Sequence, residues 1–195
     1  MKTVEERGGG ARHVVFCTHV QDKSAVQIMS EWNNDQNNVA LEHPSKSSTF
    51  VASMHHSFGS PASTFHVSFS QSMFGLGGPA SANVIENVQI YFPTSQVTPE
   101  FQKQIEQDFA KFNEIVMRGS QGDVGLATGW VQEEQEHKDI TEEKAKCFFV
   151  IRGWESMAYI EELTKQEVYK EAIPLLLAWN APFKLVRICA LFYAV

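Results

Sequence analysis

The sequence predicts an α+β protein whose C-terminal half is one strand–helix–strand–strand–helix–strand unit. Three observations support this prediction: apolar and polar side chains alternate from residue 84, an amphipathic helix pattern begins at residue 99, and residues 147–152 form a strongly apolar run. Hydrophobic residues make up 43% of the 195 residues, and the 14 Phe far outnumber the 4 Tyr and 4 Trp. A broad apolar interior is therefore expected.

The N-terminal half contains weaker signals. Residues 1–10 are charged and glycine-rich, which predicts a flexible or disordered start without the apolar stretch of a signal peptide. Residues 13–18 predict a buried strand, and residues 22–32 predict a helix with Asp22 as its N-cap. Two more strands are predicted, at residues 49–55 and 64–70.

Glycine, proline and small residues predict a linker at residues 73–83. This linker would separate an N-terminal half, residues 11–72, from a C-terminal half, residues 84–195. The N-terminal half is short of a complete six-element unit, so it is expected to be an incomplete or divergent repeat. Residues 13–35 fit the first strand and helix of such a unit as well as they fit its third strand and second helix.

The C-terminal half begins with a strand at residues 84–92 that has one apolar face and one mixed face. Thr98 and Pro99 then mark the start of a helix. Apolar residues follow at every third or fourth position, which indicates that one side of this helix is buried. These positions are Phe101, Ile105, Phe109, Phe112 and Val116.

Further elements complete the unit. Residues 126–132 predict a strand and residues 133–146 a charged, solvated hairpin loop. Residues 147–152 predict a strand buried on both faces, because only its last position is polar. Ser156 is expected to begin the second helix, and residues 183–193 predict the final strand. This order is typical of a ferredoxin-like βαββαβ unit with both helices on one face of an antiparallel sheet, so the N-terminal half or a second chain must cover the other face.

Four stretches of the C-terminal half resemble the dimeric α/β-barrel superfamily, in particular its uncharacterised two-repeat members common in fungi. These stretches are residues 85–93 (IENVQIYFP), 129–131 (GWV), 149–156 (FVIRGWES) and 169–177 (YKEAIPLLL). The resemblance implies two ferredoxin-like halves whose antiparallel sheets face each other and enclose a pocket. The superfamily includes cofactor-free monooxygenases, polyketide cyclases, decarboxylases and haem-degrading enzymes, so it implies a pocket and no particular chemistry.

Strand alternation predicts which side chains face this pocket. The mixed face of the first strand is expected to look into the cavity. Polar or aromatic side chains of the other strands are expected to face the same cavity. The expected substrate-binding residues are Asn87, Gln89, Thr128, Trp130, Gln132, Phe148, Trp154 and Arg187.

Arg152 is the first of three candidate catalytic residues. It ends a very apolar strand, where an unpaired charge would be costly to bury. Arg152 could bind a carboxylate or enolate oxygen of a substrate. The alternative is a structural ion pair with a nearby carboxylate: Glu133, Glu134 or Glu155.

The other two catalytic candidates are His66 and Tyr91. His66 lies in a predicted strand and is either a general base or a core histidine bonded to the backbone. Tyr91 is either a polar anchor in an aromatic wall or a packing residue. His137 lies in the charged loop, where solvation is expected and a role in a lid is the alternative.

Composition excludes several classes of partner. The formal net charge of −7, without a Lys/Arg cluster, argues against nucleic acid and membrane surfaces. The separated cysteines, Cys17, Cys147 and Cys189, lack a metal-binding spacing, which favours buried free thiols and a cytoplasmic setting. No metal and no cofactor are expected, because the sequence has no metalloprotease, serine-hydrolase or phosphate-loop motif.

These observations predict a cofactor-independent biosynthetic enzyme acting on an apolar polyketide or terpenoid metabolite by cyclisation, cycloaddition or isomerisation. Two alternatives stay open. One is a cofactor-free or haem-linked monooxygenase, and the other is a non-catalytic small-molecule-binding or stress-related protein. A homodimer is the alternative to a chain that completes its own barrel.

Overall fold

The computed structural model describes residues 13–31 and 63–194 of the chain. Eight strands lie within these ranges: β1 His13–His19, β2 Val26–Glu31, β3 Val67–Phe69, β4 Val84–Pro93, β5 Asp123–Val131, β6 Gln135–His137, β7 Ile140–Trp154 and β8 Phe183–Ala194. Three α-helices accompany them: α1 Pro99–Met117, α2 Met157–Leu163 and α3 Glu167–Leu177.

All eight strands belong to one antiparallel sheet, in the order β2-β1-β8-β4-β7-β5-β3, with β6 paired to the start of β7. Strands β4, β5, β7 and β8 and the three helices follow one another in the chain as a ferredoxin-like βαββαβ unit. The predicted α+β fold class is confirmed. Strand β1 pairs with β8, so the N-terminal strands extend the sheet of the C-terminal unit.

The sheet is curled, and its two outer edges approach each other. The hydroxyl of Ser72, which follows β3, donates a 2.6 Å hydrogen bond to Oε1 of Glu31 at the end of β2. Each strand therefore has an interior face, inside the curl, and a helix face. On β4, Ile85 and Tyr91 belong to the interior core, whereas Ile90 belongs to the core beneath the helices.

Helix α1 follows the sequence prediction closely. The side chain of Thr98 accepts a 3.2 Å hydrogen bond from the backbone N–H of Phe101, and Pro99 is the first helical residue. The apolar side of the helix packs on the sheet, where Phe109 meets Phe148 of β7 edge to face with 5.8 Å between ring centroids. No helix within the described ranges is both long enough and apolar enough to cross a bilayer.

The predicted helix at residues 22–32 is wrong, because a turn and strand β2 occupy this stretch. The carboxylate of Asp22 accepts hydrogen bonds of 3.0 and 2.6 Å from the backbone N–H and the hydroxyl of Ser24, so it closes a turn and caps no helix. Apolar residues of this short stretch also alternate, and pairing with β1 sets Met29 opposite Val15. The predicted strand at residues 49–55 lies outside the described residues.

The segment at residues 73–83, predicted as a linker, packs into the curl. Its buried interior side chains are Met73, Phe74, Ala80 and Ala82. A Cβ at Gly125 of β5 would overlap the carbonyl oxygen of Gly77, and one at Gly153 of β7 would lie 2.7 Å from that of Pro79. These glycines permit backbone-to-backbone contact. The face of the sheet that needs a cover therefore receives one from the same chain.

The charged segment at residues 133–146 forms a hairpin, as predicted, but its arms are paired strands. His137 of β6 lies opposite Ile140 of β7 across a two-residue turn. The side chain of Ile140 packs against the interior core. The hairpin is thus anchored on the interior side of the sheet.

Candidate functional site

The interior of the curled sheet is the candidate functional site. It is lined by apolar side chains from both ends of the chain, including Val15, Cys17, Met29, Ile85, Phe149, Ile151 and Ile188. Three aromatic rings meet there, with centroids 5.5 Å apart for Phe65 and Phe149 and 5.9 Å apart for Phe69 and Phe149. The interior is therefore an apolar surface with an aromatic cluster.

Asn87 is the fully buried polar residue of this interior among the described residues. Its side chain is 2% exposed, and in register it lies between Ile151 of β7 and Val186 of β8. Neither its Nδ2 nor its Oδ1 makes a hydrogen bond with the described residues. A buried polar group without a partner costs about 1–3 kcal/mol, so such a group calls for an explanation. An oxygen atom of a ligand would supply the missing partner.

Gln89 and Tyr91 continue the row that Asn87 begins on β4. The hydroxyl of Tyr91 donates a 2.6 Å hydrogen bond to Oε1 of Gln89. Burial, with a smaller effect of the Cys147 thiol, raises the pKa of Tyr91 to about 12. Tyr91 is therefore protonated at neutral pH and acts as a hydrogen-bond donor. Asn87, Gln89 and Tyr91 lie on the interior face, as predicted.

Arg152 lies on the helix face of β7, because it pairs in register with Glu86, which alternates with the interior residues Ile85 and Asn87. It is 6% exposed and donates a hydrogen bond to Oδ1 of Asn113 on α1. Its guanidinium carbon lies 5.6 Å from the ring centroid of Trp154, a cation–π distance. Arg152 is thus enclosed by protein groups under α1.

The ionic partner of Arg152 is Asp123, which differs from the glutamates expected from the sequence. Nε of Arg152 lies 3.4 Å from Oδ1 of Asp123, but that oxygen has no aligned hydrogen bond among the described residues. Burial raises the pKa of Asp123 and Arg152 only partly offsets this effect. Burial also lowers the pKa of Arg152, against the attraction of Asp123 and Glu86. Desolvation thus outweighs the attraction within this pair.

The remaining predicted pocket residues also lie on the helix face. Nε of Arg187 lies 2.8 Å from Oε2 of Glu86, and Ile90 pairs in register with Phe148 of the helix-side core. The predicted site residues that lie on the helix face are Thr128, Trp130, Gln132, Phe148, Arg152, Trp154 and Arg187. Strands β5 and β7 carry large apolar residues on both faces, so their alternation alone could not reveal which face is interior.

His66 lies just before β3, at the edge of the sheet. Its Nδ1 contacts the carboxylate of Glu133, and its backbone N–H donates a 2.9 Å hydrogen bond to Oε2 of Glu133. Burial acts to raise the pKa of Glu133, but the hydrogen bonds from His66 outweigh it and lower the pKa. His66, Arg152 and Tyr91 are therefore held in three separate environments.

His137 is a residue that sequence reasoning assigned to a solvated loop. Its ring centroid lies 4.4 Å from that of Tyr91, and its side chain is 15% exposed. The contact follows from the hairpin, which folds β6 back along β7. The signal in the sequence is the short charged turn Lys138–Asp139, which permits a tight hairpin at this point.

Two depressions on the surface are lined by described residues. One, of about 470 Å³, follows the β6–β7 hairpin and is lined by Glu136, His137, Lys138, Ile140, Thr141, Glu142, Glu143 and Lys144. The other, of about 230 Å³, lies beside α1 and is lined by Ser70, Gln71, Glu106, Phe109, Ala110, Asn113, Leu126 and Thr128. Both are open and partly polar, in contrast to the interior. In the described part of the chain, no three His, Cys, Asp or Glu side chains group as metal ligands.

Comparison with known proteins supports the fold and leaves the activity open. No protein-family model matches the chain, and no curated protein matches it. An "anthrone oxidase-like protein" superposes with a TM-score of 0.61 at 14% sequence identity, over 98% of this chain and 81% of that chain. The "Putative monooxygenase" of Fusobacterium nucleatum subsp. nucleatum gives a TM-score of 0.51 at 13% identity, over 93% of this chain and 76% of that chain. At these identities the likeness establishes the fold alone, that of a ferredoxin-like α/β barrel.

Proposed function

We propose that the chain is a small-molecule enzyme that binds a flat, oxygen-bearing metabolite of polyketide type in its interior and oxidises it with molecular oxygen without a cofactor. The observation that carries this proposal is Asn87, a buried interior amide without a partner among the described residues. An amide in that position can donate to a carbonyl or enolate oxygen and accept from a hydroxyl.

The chemistry needs a substrate whose methylene is conjugated with a carbonyl group, either directly or through an aromatic ring. Transfer of a proton from that carbon to solvent water gives an enolate, whose oxygen the side-chain amides of Asn87 and Gln89 would stabilise by donating hydrogen bonds. The enolate carbon then adds molecular oxygen to give a peroxide, which takes a proton back from solvent. Loss of the second methylene proton forms the carbonyl, breaks the O–O bond and releases water. Overall, one methylene group and one molecule of oxygen give one carbonyl group and one water. One oxygen atom enters the new carbonyl and the other leaves as water with the two methylene hydrogens, so the four-electron oxidation of the carbon balances the four-electron reduction of the oxygen.

Two features favour oxidation among the reactions that fit the fold. Proteins of the same fold bear the names "anthrone oxidase-like protein" and "Putative monooxygenase". The aromatic interior surface around Phe149 matches the flat substrates of such oxidations. Cyclisation, cycloaddition or isomerisation would use the same anchors and would gain from the same enclosure, but would consume no oxygen.

The test is the oxygen uptake of the purified protein with anthrone, a tricyclic probe that has such a methylene. We expect uptake of one molecule of oxygen per quinone formed with the unmodified chain, and no uptake with Asn87→Leu. Asn83→Leu, at an exposed amide that bonds the backbone oxygen of Glu155, is the matched control and should behave like the unmodified chain.

Four results would count against the proposal. Conversion of the probe without oxygen would favour cyclisation or isomerisation. Binding without conversion would favour a binding protein. Activity that requires added haem, with a Soret band on reconstitution, would replace the cofactor-free reaction by the haem-linked one. Full activity of Asn87→Leu would remove the anchor on which the proposal depends.

A further inference from the structure

We infer that the depression beside α1 is a second binding site, for a neutral ring that carries several hydroxyl groups, such as a monosaccharide. The depression lies on the helix face of the sheet, between α1 and the edge formed by β5 and β3. Leu126 and Thr128 of β5 line it, whereas Ala127 between them belongs to the interior core. This site is therefore separate from the interior, and the inference does not depend on the proposed function.

The depression is formed by one side of α1 and the neighbouring strands. Its α1 wall consists of residues at spacings of three, four and seven, from Glu106 to Asn113, which lie on one side of a helix. The strand wall is fixed by the 2.8 Å hydrogen bond from the backbone N–H of Ser70 to the carbonyl oxygen of Thr128. The volume of about 230 Å³ is below the range of about 300–1,000 Å³ for drug-sized ligands, so the depression suits one small ring.

Two amide side chains that line the depression are held by hydrogen bonds within the chain. Oδ1 of Asn113 accepts from the guanidinium of Arg152, which leaves the NH₂ group of Asn113 as a donor. Nε2 of Gln71 donates to the carbonyl oxygen of Leu126, which leaves Oε1 of Gln71 as an acceptor. These assignments are fixed by chemistry, because a guanidinium only donates and a carbonyl oxygen only accepts. Each amide is thus oriented before a ligand binds, which reduces the entropy lost on binding.

Glu106 and two hydroxyl groups add to the polar groups of the depression. The indole N–H of Trp130 donates a 3.0 Å hydrogen bond to Oε1 of Glu106, so Oε2 of this carboxylate is left as an acceptor. Ser70 and Thr128 also line the depression, and a hydroxyl group can both donate and accept. The depression therefore presents oriented donors and acceptors side by side.

The charges and apolar groups of the lining decide the class of ligand. Among the described residues no Lys or Arg lines the depression, so an anion would find no exposed cation there. Glu106 is the one acidic residue of this described lining, and a single exposed carboxylate binds a cation weakly. Neutral hydroxyl groups match the mixed donors and acceptors, because each of them can take either role. The apolar side chains of Phe109, Ala110 and Leu126 would face the C–H groups of the ring.

The test is a titration of the isotope-labelled full chain, followed by NMR, with the methyl glycosides of glucose, galactose and mannose. At least one glycoside should shift the side-chain amide signals of Asn113 and Gln71 and the indole N–H signal of Trp130. The affinity should be about millimolar, as expected for a few neutral hydrogen bonds. Sorbitol, an acyclic polyol that has hydroxyl groups but no ring faces, should leave these signals in place.

Two substitutions on opposite walls test the position of the site. Ala110→Leu places a larger side chain in the depression at an exposed helix position, and should weaken binding at least about tenfold by steric exclusion. Thr128→Val removes a hydroxyl at nearly constant shape and should weaken binding about fivefold, the loss of one neutral hydrogen bond. Lys111→Leu is the matched control, because Lys111 is the next exposed residue of α1 and does not line the depression.

Three results would show that the inference is wrong: no shift with any of the glycosides, equal shifts with sorbitol, or full affinity in both Ala110→Leu and Thr128→Val. In the last case the sugar would bind elsewhere on the chain. Oxidation of anthrone is measured with a different probe at a different site, so the failure of either proposal leaves the other standing.

Discussion

Polar side chains on the two faces of the sheet differ in whether they have partners within the chain. On the helix face, charges are paired within the chain: Arg152 with Asp123, and Arg187 with Glu86. On the interior face, the ion pair of His13 with Glu31 lies at the β1–β2 edge. The groups along β4 are neutral, and Asn87 has no partner among the described residues. The helix face thus uses its polar groups to hold the fold together, whereas the interior leaves a polar group available to a ligand. The oxidation site that we propose therefore lies on the less polar of the two faces.

The largest expected change in the free energy of unfolding comes from the ionisation of neutral interior groups at high pH. Burial, with a smaller effect of Cys189, raises the pKa of Cys17 from 9.0 to about 12, and burial raises that of Cys147 equally. Because the folded pKa is the higher one, this stability is fully present below pH 9 and is lost as the pH rises towards 12. The loss is about 1.4 kcal/mol per pH unit for each thiol. Tyr91 adds to it above pH 10.

Urea unfolding between pH 8 and pH 11.5 measures this effect. Cys147→Ala should reduce the slope of the free energy of unfolding against pH. The difference in free energy between this variant and the unmodified chain at pH 7 measures the packing that the substitution removes. A slope that is unchanged in Cys147→Ala would contradict the neutral, desolvated interior.

The next largest effect is expected on the helix face. Arg152→Leu leaves the half-buried carboxylate of Asp123 without its cation and should lower the free energy of unfolding by about 3 kcal/mol, the lower end of the range for buried pairs. Arg118→Leu is the control, because Arg118 pairs with Glu114 at the surface, where such a loss is below about 1 kcal/mol. Equilibrium urea unfolding at pH 7 compares the two. If Arg152→Leu left the stability unchanged but abolished the reaction with anthrone, Arg152 would be part of the ligand site.

The smallest of these effects compares one substitution on the two faces. Asn87→Leu removes an amide without a partner from the interior and should raise the free energy of unfolding by about 1–3 kcal/mol. Asn113→Leu removes the acceptor of Arg152 and should lower it by about the same amount. Thermal or urea unfolding gives both values, and the identical chemical change makes each variant the control of the other. If both substitutions changed the free energy of unfolding in the same direction, the two faces would not differ as described.

Part of the candidate site could be predicted from the sequence. The alternation of β4 correctly assigned Asn87, Gln89 and Tyr91 to the interior, because that strand has one face that is clearly apolar. The alternation of β7 could not do the same, since Phe148 and Phe149 are both buried and face opposite ways. The partner of Arg152 was missed because Asp123 is brought to it by the pairing of β5 with β7.

The sequence by itself determined the local elements of the C-terminal half: helix α1 with its Thr98 cap, the alternating strand β4 and the apolar strand β7. Spacing and capping act between residues close in the chain, so they can be read directly. Only the tertiary structure decided that residues 26–31 form a strand, which face of β7 is interior, and that His137 meets Tyr91. Those outcomes depend on backbone pairing between distant residues, and one step of register moves every side chain to the other face.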